Sequence, residues 1–205
     1  MDIVSVEQVL HGCLKLTTGA GPSFFIRPDY LMLVSADSIT AGAVFTGDAE
    51  NDILDAGLAC AAERKALDYL ARAEQSRLGL VRKLSAKGFQ KAHIQKALDY
   101  LEQRSYLSDA RFARSWLNMR SISHYEGRTR LSAELASRGI DRATANAALD
   151  EYFESHDEEA LCRKALEKCR RQKKTDDKAA AYLTAHGFSY ALIRRCLQMD
   201  GDEPL

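Results

Sequence analysis

Leu84-Ser-Ala-Lys-Gly88-Phe89, followed by Ile94, Leu98 and Leu101, is the stretch whose reading decides the fold. A leucine four residues before a glycine, with an apolar residue straight after it, marks the end of one helix and a plugged corner. Gly88 takes the left-handed conformation that stops the helix, and Phe89 fills the bend. Ile94, Leu98 and Leu101 recur at i, i+4 and i+7, so they line one stripe of a second helix. The pattern returns as Leu135, Gly139, Ile140, Ala145 and Leu149, and again as Leu183, Gly187, Phe188, Ile193 and Leu197. The three glycines are 51 and then 48 residues apart. Three matches at the same internal offsets describe a repeat protein built from one small helical module per period.

Working outward, Leu54–Ala73 reads as an alanine-rich first helix of module one. Ser76 is placed to cap the next, and a third runs from about Lys91 to Arg104. Tyr106-Leu107 fill a short joint, and Ser108 or Asp109 caps the helix opening module two. That helix carries Phe112, Ala113, Trp116, Leu117 and Met119 on one arc, with Arg111, Arg114, Ser115 and Asn118 opposite. Trp116, the single tryptophan, is expected in the core. Gly127 starts the next helix, with Arg128 and Arg130 in its first turn, where positive charge opposes the helix dipole unless an anion meets it. Module three opens with a helix from about His156 to Lys173, whose apolar arc is Leu161, Cys162, Ala165, Leu166 and Cys169. Thr175 or Asp176 and then Ser189 are the expected caps of its remaining helices. A module of this size buries only a marginal core alone and is expected to borrow stability from its neighbours.

The first fifty residues differ. Ile3–Val6, Cys13–Leu16, Phe24–Ile26 and Leu31–Val34 are short apolar or alternating runs separated by Gly19-Ala-Gly21-Pro22 and Pro28-Asp29. They read as a small antiparallel sheet of about three strands that leans on module one. The acidic stretch Gly47–Asp52 is expected to link it to the first helix. The expected division is therefore a β-rich region at 1–50, repeats at 51–105, 106–154 and 155–199, and an acidic tail at 200–205. The fold class is mainly α: three tandem three-helix repeats forming an elongated, curved body behind a small sheet.

Composition narrows the function. The 205 residues are 46% hydrophobic, and 29 basic residues balance 29 acidic ones. That balance hides an asymmetry, since residues 1–60 hold two basic residues against eight acidic ones, a net of −6. Between Leu161 and Met199 ten basic residues face three acidic, a local +7, which tilts the helical part toward an anionic partner. No run approaches the length of a membrane span, and no secretion signal opens the chain. The five cysteines, Cys13, Cys60, Cys162, Cys169 and Cys196, are scattered and odd in number, as suits reduced thiols in a cytosol. Cys162 and Cys169 with His156 or His186 match no usual structural zinc spacing, so no metal is expected. There is no phosphate-binding loop, no H-E-x-x-H and no nucleophile elbow, so neither catalysis nor a cofactor is expected.

Ser105-Tyr-Leu-Ser-Asp109-Ala-Arg111-Phe112-Ala113 is similar to the G-Y-L-D-D-x-R-F-A signature of the bacterial RecX regulatory family. Gly127–Leu135 with Arg138-Gly139-Ile140 resembles that family's second repeat. Tyr182-Leu183, Gly187-Phe188-Ser189-Tyr190 and Leu192-Ile193-Arg194 resemble its third. The resemblance spans about residues 62–198. Ser105 stands for the usual glycine, Ser108 for an aspartate, and Arg128 where a proline is common, which should alter how its helix starts. The resemblance implies a monomeric cytoplasmic protein that binds the RecA recombinase filament on single-stranded DNA. It implies that the protein lowers the filament's ATPase, strand-exchange and co-protease activities, some members also binding single- or double-stranded DNA. The alternative is a direct DNA-binding helical module with no recombinase partner.

The candidate partner-binding residues are the basic ones of modules two and three. Arg111 and Arg114 share one side of their helix, and Arg128 with Arg130 opens the next. Lys164, Lys168 and Arg171 lie on one face by their i, i+4, i+7 spacing, followed by Lys173 and Lys174. Arg194 and Arg195 lie on the last helix.

Overall fold

The structure is a computed structural model that describes residues 1–9, 12–122 and 124–200, with backbone alone at 199 and 200. The acidic tail expected at 200–205 lies, beyond Asp200, outside the described residues. The chain falls into two compact units, Met1–Ser108 and Asp109–Leu205.

The first unit begins with strands β1 (Ile3–Val9), β2 (Cys13–Thr18) and β3 (Phe24–Ile26), paired antiparallel in the order β1-β2-β3. Val6 faces Leu16 across β1 and β2, and Leu16 faces Phe24 across β2 and β3. Alternation puts Leu16 and Ile26 on the inner face, where both are wholly buried. Below them runs α1 (Gly47–Leu70). Its first half closes the core of the sheet through Ile53, Ala56, Ala59 and Cys60, and its second half gives Ala66 to the core of module one. The sheet thus leans on the first helix of module one, as expected of a sheet too small to stand alone. Two expectations fail here. Gly47–Asp52 is the start of α1 rather than a linker, and Asp48 and Glu50 in its first turn suit the dipole. Leu31–Val34 is not a strand. The amides of Met32, Leu33 and Val34 all donate to the Asp52 carboxylate at 2.8–3.0 Å, so one buried acid satisfies a turn that pairs with no strand. Burial opposes ionisation of Asp52, but those three amides, with Lys96 nearby, hold its carboxyl below the usual range.

Module one adds α2 (Arg77–Ser85) and α3 (Lys91–Gln103), with the Ser76 hydroxyl accepting from the Gly79 amide. Module two comprises α4 (Asp109–Ser121), α5 (Arg128–Ser137) and α6 (Arg142–Ser155). Module three comprises α7 (Glu158–Arg171), α8 (Asp176–Ala185) and α9 (Tyr190–Asp200). Ser189 caps the last helix as expected, accepting from the Leu192 amide, and Asp157, not among the expected caps, accepts from the Glu159 and Ala160 amides. Thr175 precedes α8 but makes no side-chain cap bond.

All three corners are built alike. Gly88, Gly139 and Gly187 have φ of 88°, 83° and 84°. In each, the next residue's amide reaches back to the leucine carbonyl five residues earlier: Phe89 to Leu84, Ile140 to Leu135 and Phe188 to Leu183. The glycine amide bonds the carbonyl three residues earlier, which completes the left-handed helix stop. Those three leucines are fully buried.

The same stop ends α3 and α7, but without glycine. Ser105 and Lys173 occupy the left-handed position at φ of 59° and 54°. Tyr106 then bonds the Leu101 carbonyl, and Lys174 bonds that of Cys169. A side chain there costs on the order of 1 kcal/mol. Ser105→Gly, the residue the family pattern favours, is therefore expected to stabilise the first unit by roughly 0.5–1 kcal/mol, some of the gain being lost to glycine's greater unfolded freedom. Urea unfolding of parent and variant checks this; an unchanged midpoint would mean that the backbone relaxes freely at that joint.

Candidate partner-binding surface

Modules two and three share one continuous core, running from Ala113 and Leu117 through Leu149 to Cys162, Leu183 and Cys196. They also meet backbone to backbone. The Gly127 amide donates to the His186 carbonyl at 2.9 Å, and a side chain on Gly127 would land on the Gly187 peptide. The Arg128 amide donates to a Glu158 carboxylate oxygen at 2.8 Å. Proline, common there in the family pattern, has no such donor. Arg128 thus starts α5 by tying it to the first residue of α7.

That geometry decides what the candidate cations have around them. The anions meeting Arg128 and Arg130 in the first turn of α5 come from this chain. Arg128 Nη2 is 2.6 Å from Asp150 Oδ1, and Arg130 Nη2 is 2.9 Å from Glu134 Oε1. Glu126, beside them, is buried and held by Arg120 through bonds of 2.7 and 3.0 Å. Burial works against charging Glu126, yet the Arg120 bond and charge outweigh it and keep its carboxyl below the ordinary range. On α4, Arg114 faces Glu151 at 3.4 Å, and Arg111 is only half exposed. Trp116 is half-buried rather than enclosed. Its ring packs on the core while the guanidiniums of Arg138 and Arg120 lie 4.5 and 5.4 Å from its centroid, and Met119 is exposed.

Module three differs. Its α7 buries Leu161, Cys162, Ala165, Leu166 and Cys169, the arc expected, and turns Lys164 and Lys168 to solvent. Neither lysine has a carboxylate partner among the described residues, whereas Arg163 pairs with Glu159 at 2.5 Å. Arg171 reaches Glu167 only at 3.5 Å, both well exposed, a pair worth little in water. Lys173 is exposed at the helix stop, and Lys174 Nζ sits 4.1 Å over the Tyr182 ring. On α9, Arg194 is exposed without an acidic partner among the described residues, and Arg195 faces Glu159 at 3.7 Å. The eleven candidates therefore divide, and α7 carries the freest positive face. Other exposed cations lie outside that set. Arg82, Lys87 and Lys91 flank the Gly88 corner, all exposed and without an acidic partner among the described residues. The signal was present, because no acid interrupts the chain from Arg82 to Lys96.

Comparison with known proteins fits the repeat. The family description "RecX, first three-helix domain" matches residues 62–101, and "RecX, second three-helix domain" matches 108–149. The curated regulatory protein RecX of Treponema pallidum strain Nichols is 40% identical over 139 residues, covering 68% of this chain and 85% of its own length. This chain belongs to the RecX family. The RecX protein of Clostridioides difficile strain 630 is 28% identical over 200 residues, covering 95% of this chain and 93% of its own, so its match takes in the N-terminal region as well. A crystal structure of a regulatory protein RecX superposes with a TM-score of 0.76 at 18% identity, covering 96% of this chain and 98% of its own. RecX from Lactobacillus salivarius superposes at 0.60 and 22% identity, covering 69% of this chain and 96% of its own. At those identities the likeness concerns the fold.

Among the described residues, no cluster of three or more His, Cys, Asp or Glu side chains is placed to hold a metal, and no helix is long and apolar enough to cross a membrane.

Proposed function

We propose that this RecX-family regulator acts without catalysis, as a cytoplasmic monomer, by binding the RecA filament on single-stranded DNA. In doing so it lowers the filament's ATPase, strand-exchange and co-protease activities. Family membership supports the partner. The observation that supports the site is the exposed face of α7, where Lys164 and Lys168 stand one turn apart with no carboxylate partner among the described residues. An unpaired lysine pair costs little in solvent and gains when an acidic or phosphate surface meets it. Arg114, Arg128 and Arg130 serve less well, because they must first leave Glu151, Asp150 and Glu134.

The test is the DNA-dependent ATPase of the cognate RecA, titrated with this protein. Lys164→Glu combined with Lys168→Glu should leave folding intact, as exposed charges change stability by no more than about 0.5 kcal/mol. It should raise the concentration giving half-inhibition roughly tenfold or more, at about 1.4 kcal/mol per decade. Arg114→Glu combined with Arg128→Glu is expected to have the smaller effect on inhibition. A folded α7 variant that inhibits like the parent removes that face from the site. Tight, steeply salt-dependent binding to naked DNA without any effect on the ATPase would replace the proposal with direct DNA binding.

A further inference from the structure

The first unit carries an exposed apolar surface that the regulatory reading does not use. Leu54 and Leu58, one turn apart, lie on the solvent side of α1 and are 43% and 46% exposed. Beside Leu54 opens a recess of about 500 Å³, whose apolar lining includes Met1, Phe24 and Leu54. The Phe24 ring lies close on Gly57, where a Cβ would fall 2.8 Å from it, so α1 and the sheet hold that wall in place. Val4 and Val44 are exposed as well, and Val44 is bridged to Asp2, which also lines the recess. Single apolar side chains in solvent are ordinary, but a group of them around a depression marks a contact surface.

The charge around that surface has one sign. By helical spacing, Glu50 lies to one side of the Leu54–Leu58 stripe, and Asp48 and Asp55 lie to the other. Glu50 is held by the Met1 ammonium at 3.1 Å, and Asp55 by His93 Nε2 at 3.0 Å. Asp2 and Asp48 are exposed and have no cationic partner among the described residues. The two lysine or arginine residues of the first 60 cannot answer them. Lys15 holds Glu7 at 3.2 Å, and Arg27 is buried against Glu63. The stripe therefore sits in a region of net −6, which repels nucleic acid and acidic proteins and draws cations. Charge complementarity thus selects a partner that brings lysine or arginine to this apolar surface.

We propose that this surface docks a basic segment of a partner protein. The segment seats one aromatic or long aliphatic side chain in the recess, against Phe24 and Leu54. Its lysine or arginine side chains lie on Asp2 and Asp48. The site is independent of the α7 face, and its test needs no recombinase.

The probe is a set of fluorescein-labelled heptapeptides, Lys-Arg-Xaa-Lys-Arg-Gly-Lys, with Xaa as Phe, Trp, Leu or Ala. Binding to the full chain is read by fluorescence anisotropy at about 0.15 M salt, where distant charges are screened. The Phe, Trp and Leu peptides are expected to bind about tenfold or more tightly than the Ala peptide, since only they fill the recess. Asp2→Lys with Asp48→Lys should weaken every peptide by about tenfold or more. Both positions are exposed, and circular dichroism reports whether that variant folds. Leu54→Ala with Leu58→Ala keeps the charges and puts a strong helix former at both places in α1. It should bring the Phe peptide down to the affinity of the Ala peptide. Should either variant not fold, amide shifts of Ala20, Phe24 and Leu54 on titrating the Phe peptide into the parent locate the site. No binding by any of the peptides, equal binding of the Phe and Ala peptides, an undiminished affinity in a folded variant, or shifts elsewhere would each overturn the proposal. So would a parent that dimerises in sedimentation while the folded leucine variant stays monomeric, which would make the occupant a second copy of this chain.

Discussion

Glu63→Ala is expected to destabilise the first unit by about 3–5 kcal/mol, the cost of leaving a buried guanidinium without its counter-charge. Arg27 is 4% exposed and Glu63 2% exposed, and the two meet through a two-pronged contact. The Tyr30 hydroxyl donates to the same carboxylate at 2.8 Å. Burial alone would pull a proton off Arg27, yet the Glu63 bond and charge more than offset it and raise its pKa. Burial and the Glu63 charge likewise push the Tyr30 hydroxyl up, so it stays a donor. Removing the carboxylate strands both groups at once. Such a loss is a large share of the total stability of a unit this size. Glu63→Gln should be nearly as harmful, because it keeps the shape and loses the charge. Arg27→Met with Glu63→Leu and Tyr30→Phe should recover most of the loss, since an apolar replacement removes the desolvation cost of both ions. Chemical unfolding followed by far-UV circular dichroism measures all three. A Glu63→Ala protein as stable as its parent would mean that water reaches Arg27 and the pair is not buried in solution.

This network also marks where sequence reasoning stopped. The corners at Gly88, Gly139 and Gly187 were legible, because a left-handed residue, a plugging side chain and a helical stripe are local signals at fixed offsets. Three repeats averaged out the noise in any one of them. The match of Arg27 to Glu63 is 36 residues away in sequence and depends on how the sheet lies across α1. No periodicity reports that. Asp52 is similar: it read as linker, and only the folded turn aims three amides at it. The candidate surface was legible as composition and misleading as chemistry. The spacing of Arg114 and Arg128 gives their helix faces, but their partners lie on another helix, whereas Arg130 with Glu134 is an i, i+4 pair within α5 that the spacing already contained. Glu151 and Asp150 come from α6. On α7 the reading of face and environment agree, because among the described residues no acid pairs with Lys164 or Lys168.

Gly187→Ala is expected to destabilise the second unit by about 2–5 kcal/mol, and its size can be separated into two parts. Gly187 sits at φ 84°, where a side chain costs roughly 1–2 kcal/mol in any left-handed position. A Cβ there would also fall 2.5 Å from the Arg130 Cβ and closer still to the Arg130 amide. That amide belongs to the first turn of α5, which cannot step aside without disturbing the Gly127 bond to His186 and the Arg128 bond to Glu158. Overpacking of this kind typically costs about 1–3 kcal/mol more. Gly88 supplies the control, since its φ is 88° and nothing lies within 4 Å of where its Cβ would be. Gly88→Ala should therefore show the conformational cost alone, about 1–2 kcal/mol in the first unit. Gly127→Ala has no positive φ and should show the contact cost alone, its Cβ falling 2.6 Å from the Gly187 carbonyl carbon. If the three losses follow that order, with Gly187→Ala the largest, modules two and three fold as one block held backbone to backbone. Equal losses for Gly88→Ala and Gly187→Ala would show that the two modules part at little cost, and their shared core alone would then join them.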